Sequence, residues 1–129
     1  MSPLRVDHVA LWVADLERMR AFYVEVLGGT SGPRYENPRT GFRSYFVAFG
    51  DCRVELMWQP GSGDGSAGGG RLGYAHLAMS ADGREGVDAR VADLRARGIR
   101  VVGEPRVTGD GYYEAVVEDP EGNRIEIVG

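Results

Sequence analysis

Two stretches of this 129-residue chain spell the same succession of elements, and that repetition limits the fold more than any other feature. In the first stretch, residues 6–13 alternate as a strand, with Val9, Leu11 and Val13 on one face and His8, Ala10 and Trp12 on the other. Asp15 is placed to cap a helix. Its apolar positions Leu16, Met19, Phe22, Tyr23, Val26 and Leu27 follow at helical spacing, and Gly28 and Gly29 stop it. Residues 30–41 are rich in turn formers and read as a loop with room for one short strand. Residues 42–49 and 53–59 read as strands about a Gly50-Asp51 turn. In the second of these, Val54, Leu56 and Trp58 share one face, and Arg53, Glu55, Met57 and Gln59 the other.

The second stretch repeats the order. Residues 74–79 read as a strand with His76 opposite Ala75, Leu77 and Met79; residues 84–97 form a helix with the stripe Val87, Val91 and Leu94, closed by Gly98. Residues 99–102 read as a strand and 105–111 as a loop. Residues 112–118 and 124–128 make a hairpin about Asp119-Pro120-Glu121-Gly122-Asn123, where Pro120 presets φ and Gly122 and Asn123 tolerate φ > 0. In the last strand Ile125 and Ile127 share a face and Glu126 points the other way. The expectation is one α+β domain built from two βαβββ modules, residues 1–60 and 71–129, joined by a Gly-rich linker at 61–70. That linker has the glycines of a phosphate cradle but neither a Gly-Lys-Ser/Thr ending nor a helix pattern behind it.

Composition removes several classes of function. A net charge of −4 argues against a nucleic-acid partner. Every basic residue is Arg, so Schiff-base lysine chemistry is excluded. Cys52 is the sole cysteine, leaving no intrachain disulfide and an expected reduced, mildly buried thiol. No apolar run approaches the roughly 18 residues of a membrane span, and the first residues carry no signal-peptide core; a cytoplasmic location is expected.

Laying one stretch on the other aligns His8 with His76 and Glu55 with Glu126, at separations of 47 and 50 residues. Parity points all four away from the Val/Leu/Ile faces that must pack on the helices. If both sheets curl alike, the four meet in a cleft lined by the opposite faces. Two imidazoles and two carboxylates suit a divalent first-row metal such as Ni, Co, Zn, Mn or Fe. Calcium or magnesium would want more oxygen, and a structural zinc site more often uses Cys.

These residues carry a resemblance. The run from His8 to Leu16, the stretch from Phe22 to Gly28, the Val54-Glu55-Leu56 and Tyr74-Ala75-His76 segments, and the run from Glu118 to Glu126 resemble the vicinal oxygen chelate superfamily over nearly the whole chain. That superfamily includes glyoxalase I, methylmalonyl-CoA epimerase, extradiol dioxygenases, fosfomycin-resistance enzymes and bleomycin-resistance proteins. The resemblance implies the glyoxalase/bleomycin resistance fold, with curled mixed sheets around a metal cleft. It also implies a homodimer in which His8 and Glu55 of one chain complete a site with His76 and Glu126 of the other.

The His/Glu/His/Glu set is similar to that of small bacterial glyoxalase I (lactoylglutathione lyase), which implies nickel or cobalt, with zinc or manganese as further candidates. Dioxygenases and fosfomycin-resistance enzymes use three protein ligands, and the epimerase carries Gln where Glu55 stands. The implied activity is metal-dependent isomerisation of a hemithioacetal or related α-oxygenated carbonyl through an enediolate, with Glu126 or Glu55 as the base. Two positions depart from that pattern. Trp12 stands where an Arg usually holds a glutathione carboxylate, and Gln59 where an Asn is usual. Trp12, Met57 and Tyr74 suggest an apolar wall for the substrate, with Gln59, Arg43 and Tyr113 as further contacts. The alternative reading is a bleomycin-resistance-type protein that sequesters an aromatic antibiotic or other hydrophobic small molecule in the dimer cleft.

Overall fold

A computed structural model describes residues 3, 6–62, 74, 76–108 and 111–129. The first alternating stretch becomes β1 (His8–Trp12), and Asp15 caps helix α1 (Leu16–Ala21) by accepting the Arg18 N–H at 3.1 Å. The helical spacing runs on to Leu27 as expected, but residues Phe22–Val26 are wound as a π-helix. Phe22 and Tyr23 are both buried there, with their rings edge to face at 5.4 Å. Gly28, at φ +86°, ends the helix: its N–H reaches Val24 O, and the Gly29 N–H reaches Tyr23 O, each at 3.0 Å.

The chain continues through β2 (Thr30–Ser31), β3 (Tyr35–Glu36), β4 (Arg43–Phe49) and β5 (Cys52–Trp58), so the expected loop at 30–41 holds two short strands. After residues 63–73 come β6 (Leu77–Ser80), α2 (Gly83–Ala96), β7 (Val101–Val107), β8 (Tyr113–Glu118) and β9 (Arg124–Val128). The backbone falls into two units, Met1–Ser66 and Ala67–Gly129. Most of the Gly-rich stretch read as a linker, residues 63–70, lies outside the described residues, as does Ala75.

The described strands of both units follow one plan. In the first, the sheet order is β1-β5-β4-β2, with β3 on β4; in the second it is β6-β9-β8-β7. Each sheet is mixed: β1 with β5 and β6 with β9 are parallel, and β4 with β5 and β8 with β9 are antiparallel. This is the α+β architecture of paired βαβββ elements.

One face of each sheet is covered by its helix. In the first unit, α1 packs on β4 and β5, burying Leu16, Met19, Tyr45, Val47, Val54 and Leu56. Tyr45 adds a polar tie, its hydroxyl donating to Glu17 Oε1 at 2.6 Å and Oε2 at 2.9 Å. In the second unit, α2 sets Val87, Val91 and Leu94 over Ala115, Val117, Ile125 and Ile127. The β8–β9 turn is organised by Asp119, only 4 % exposed, whose Oδ1 accepts the Glu121 and Asn123 N–H groups at 2.9 Å. Within that turn only Gly122 takes a positive φ, +84°, and Asn123 does not.

Three expectations need correction. β6 begins at Leu77, so Tyr74 and His76 precede the strand rather than lie in it. Residues 105–107, read as loop, continue β7 through Pro105. Proline is tolerated because, among the described strands, β7 is at the sheet edge and pairs with β8 only, and the register shifts between Gly103 and Arg106. Cys52 is exposed rather than mildly buried, because it opens β5 directly after the Gly50-Asp51 turn.

Candidate functional site

On the face of each sheet away from its helix, a glutamate has a histidine beside it. In the first unit, parallel pairing sets Ala10 opposite Glu55 and Trp12 opposite Met57. Residues opposed in this way share a face, so His8, Trp12, Glu55 and Met57 stand together. His8 Nε2 lies 3.5 Å from Glu55 Oε1, with the Glu55 side chain 15 % exposed. In the second unit Ala78 is opposite Glu126, and His76 Nε2 lies 3.2 Å from Glu126 Oε1. The correspondence is positional as well as chemical. In both units the histidine stands two residues before an alanine whose cross-strand partner is the glutamate.

Alternation over residues 6–13 sets Asp7 on the face of Val9, but β1 begins at His8, so Asp7 precedes the strand and is not held to that parity. Its Oδ2 lies 2.7 Å from His8 Nδ1 and accepts from Arg53 Nη2 at 2.7 Å. The hydrogen bond with His8, then the one from Arg53, hold the Asp7 carboxyl below its usual range. Phe46, in register with Glu55, meets the His8 ring edge to face at 5.2 Å, and the Arg53 guanidinium lies 4.4 Å over the Phe46 ring. Phe42 extends the aromatic surface, 6.2 Å from Trp12 and 6.0 Å from Tyr35.

The donor set fits a divalent cation in part within each unit. Ligand distances of about 2.0–2.2 Å place neighbouring donors on one ion about 2.8–3.6 Å apart, octahedral angles giving the short end and tetrahedral angles the long end. The observed 3.5 and 3.2 Å separations fall in that range. Among the described residues no group of three or more such side chains gathers at one point, so each unit offers two donors.

Arg43 and Tyr113 belong elsewhere. Arg43 is in register with Trp58, which puts it on the helix-covered face; it donates to Glu36 at 3.0 Å and lies 5.3 Å from the Trp58 ring. Tyr113 shares the parity of buried Ala115 and Val117, and its hydroxyl donates to Asp88 on α2 at 2.6 Å. That bond, then burial, raise the phenol above its ordinary pKa. Gln59 is exposed just beyond β5, its N–H bonded to Ser62 Oγ, and Tyr74 is 99 % exposed ahead of β6.

Two units of one topology, each with a His/Glu pair in one register, describe a duplicated α+β scaffold with a polar pair on each open sheet face. The chain belongs to the Glyoxalase/Bleomycin resistance protein/Dioxygenase superfamily, whose family model matches residues 5–127. It is 32 % identical over 129 residues to lactoylglutathione lyase of Salmonella typhimurium, covering 97 % of this chain and 92 % of that one. It is 34 % identical over 109 residues to mitochondrial methylmalonyl-CoA epimerase of Bos taurus, covering 81 % of this chain but 61 % of that protein. Among solved structures, the trypanothione-dependent glyoxalase I of Leishmania major superposes with a TM-score of 0.78 at 27 % identity, covering 98 % of this chain and 87 % of that one. No described helix is long and apolar enough to cross a membrane.

Proposed function

We propose that this chain is a metal-dependent isomerase of the glyoxalase I type, working in the cytoplasm. In this reading His8, Glu55, His76 and Glu126 hold one divalent cation, nickel or cobalt before zinc or manganese. The observation that carries it is the shared register of the two His/Glu pairs, each with its nitrogen and oxygen at near-ligand spacing. Four donors need both pairs. The proposed assembly is a homodimer in which His8 and Glu55 of one copy join His76 and Glu126 of the second. The relatives named lactoylglutathione lyase support the reaction class.

Bound there, the cation would supply Lewis acidity toward the vicinal oxygens of a hemithioacetal or related α-oxygenated carbonyl. Glu126 is the base: it takes the proton from one carbon and returns it to the adjacent carbon, so the net change is an isomerisation. Among the described residues no arginine pairs with Glu55 or Glu126, and no side-chain cation competes for their oxygens. Trp12 and Met57, on the face of His8 and Glu55, bring apolar surface to the rest of the substrate. That surface, with Trp12 where a glutathione-binding Arg is usual, favours a substrate with an apolar remainder.

Purified protein is expected to carry about one divalent metal per assembled set of four ligands and to isomerise the methylglyoxal–glutathione hemithioacetal or an apolar-thiol analogue. Elemental analysis with a spectrophotometric assay tests this. Undiminished activity after every metal is stripped would refute it.

One observation favours a second reading. Trp12 is 55 % exposed and lies against Phe42, as Tyr35 does, forming an aromatic platform suited to sequestering a flat antibiotic. Titration with planar aromatic compounds should then quench Trp fluorescence saturably in metal-free protein. A flat response across a broad panel would remove this reading.

A further inference from the structure

We propose that Asp7 is a positioning residue for His8. It keeps the imidazole proton on Nδ1 and presents the Nε2 lone pair to the cation, an inference that rests on the metal-centre reading above. An ionised carboxylate only accepts hydrogen bonds, so a 2.7 Å contact between Asp7 Oδ2 and His8 Nδ1 requires the proton on Nδ1. The competing carboxylate is Glu55, 3.5 Å from Nε2, which would draw the proton to the nitrogen that must be bare to bind a metal. The shorter contact with Asp7 opposes that.

Asp7 does not act alone. Arg53 Nη2 donates to the same Oδ2 at 2.7 Å, and its guanidinium rests 4.4 Å over Phe46. The Phe46 ring in turn stands edge to face with His8 at 5.2 Å. Asp7, Arg53, Phe46 and His8 thus close a circuit of side chains. The circuit fixes the imidazole on one edge by a carboxylate and on its flank by an aromatic ring. Carboxylates behind a metal-binding histidine set its tautomer, and their loss costs about 10–100-fold in metal affinity.

The second histidine differs. Among the described residues the only carboxylate within ion-pair distance of His76 is Glu126. Among the described residues, the carboxylate behind the ring nitrogen is therefore seen at His8.

The test uses the full chain stripped with chelator, then titrated with Co(II) alone against a chromophoric competitor. A parallel arm reads the His8 tautomer by nitrogen-15 NMR of the metal-free protein at about pH 8.5, where an ordinary imidazole is neutral. Asp7→Ala is expected to weaken Co(II) binding by about 10–100-fold and move the His8 proton to Nε2. Asp7→Asn, which keeps an acceptor oxygen, should hold the tautomer and lose less affinity; Arg53→Met should fall between wild type and Asp7→Ala. The Asp7 side chain is 73 % exposed, so these variants should melt like wild type. An unchanged tautomer in Asp7→Ala overturns the proposal, as does Co(II) affinity within twofold of wild type. If wild-type protein takes up no Co(II), the metal-centre reading fails, and the tautomer arm alone then decides whether Asp7 controls His8.

Discussion

Glu126→Gln should lower turnover by about 10²–10⁴-fold while leaving the fold intact, the loss expected when a general base is removed. The amide keeps an oxygen donor and nearly the same volume, so it separates proton transfer from assembly of the centre. Glu126 is 20 % exposed and sits on the open face of β9 between Ile125 and Ile127, which pack the other way. The core therefore does not register the substitution, and thermal melts should be unchanged in metal-free protein. Substrate-isotope exchange sharpens the test, since the proton lost from one carbon should cease to exchange with solvent. Glu126→Gln turning over at the wild-type rate would move the base to Glu55 or end the proton-transfer mechanism.

Leu56→Ala should carry the largest stability cost of any single substitution considered. Leu56 is fully buried in β5, a strand paired on both sides, by β1 and by β4. Truncation removes three carbons from beneath α1 and leaves a void that backbone paired on both edges cannot close. The expected loss is about 2–5 kcal/mol. Set against the 5–15 kcal/mol typical of a domain, that is a large share of the total. Urea denaturation should show a lower midpoint with an unchanged slope. A loss below about 1 kcal/mol would mean the α1 side of the sheet is loosely packed. Glu55, next along the strand and facing the other way, would still share its face with His8 in the folded fraction.

Alternation carried the most information. The residues flanking Glu55 and Glu126 in their strands are hydrophobic and bury against the helices, so period two alone assigns the glutamates to the open faces, where the structure has them. Arg43 was open to the same argument through its neighbours Tyr45 and Val47, both buried. Its charge suggested a binding role, but its parity did not. Tyr113 is harder, because the next residue on its face is Ala115, too small to mark the face as apolar. Asp7 is illegible in principle. Alternation over residues 6–13 would set it with Val9, away from His8, whereas β1 begins only at His8 and frees Asp7 from that parity; its partner Arg53 is 46 positions away. The π-helical winding at Phe22–Val26 also escapes notice, since its apolar residues suit an ordinary helix equally well.

Pro105 has a consequence for the behaviour of the protein in concentrated solution. β7 closes one side of its sheet, and an exposed strand of seven residues there would offer a row of free backbone groups to a neighbouring molecule. Proline removes one donor from that row, the shifts in register kink it, and Glu104 and Arg106 flank the break with charge. Such devices on an edge strand disfavour sheet growth from molecule to molecule, the first step toward fibrils.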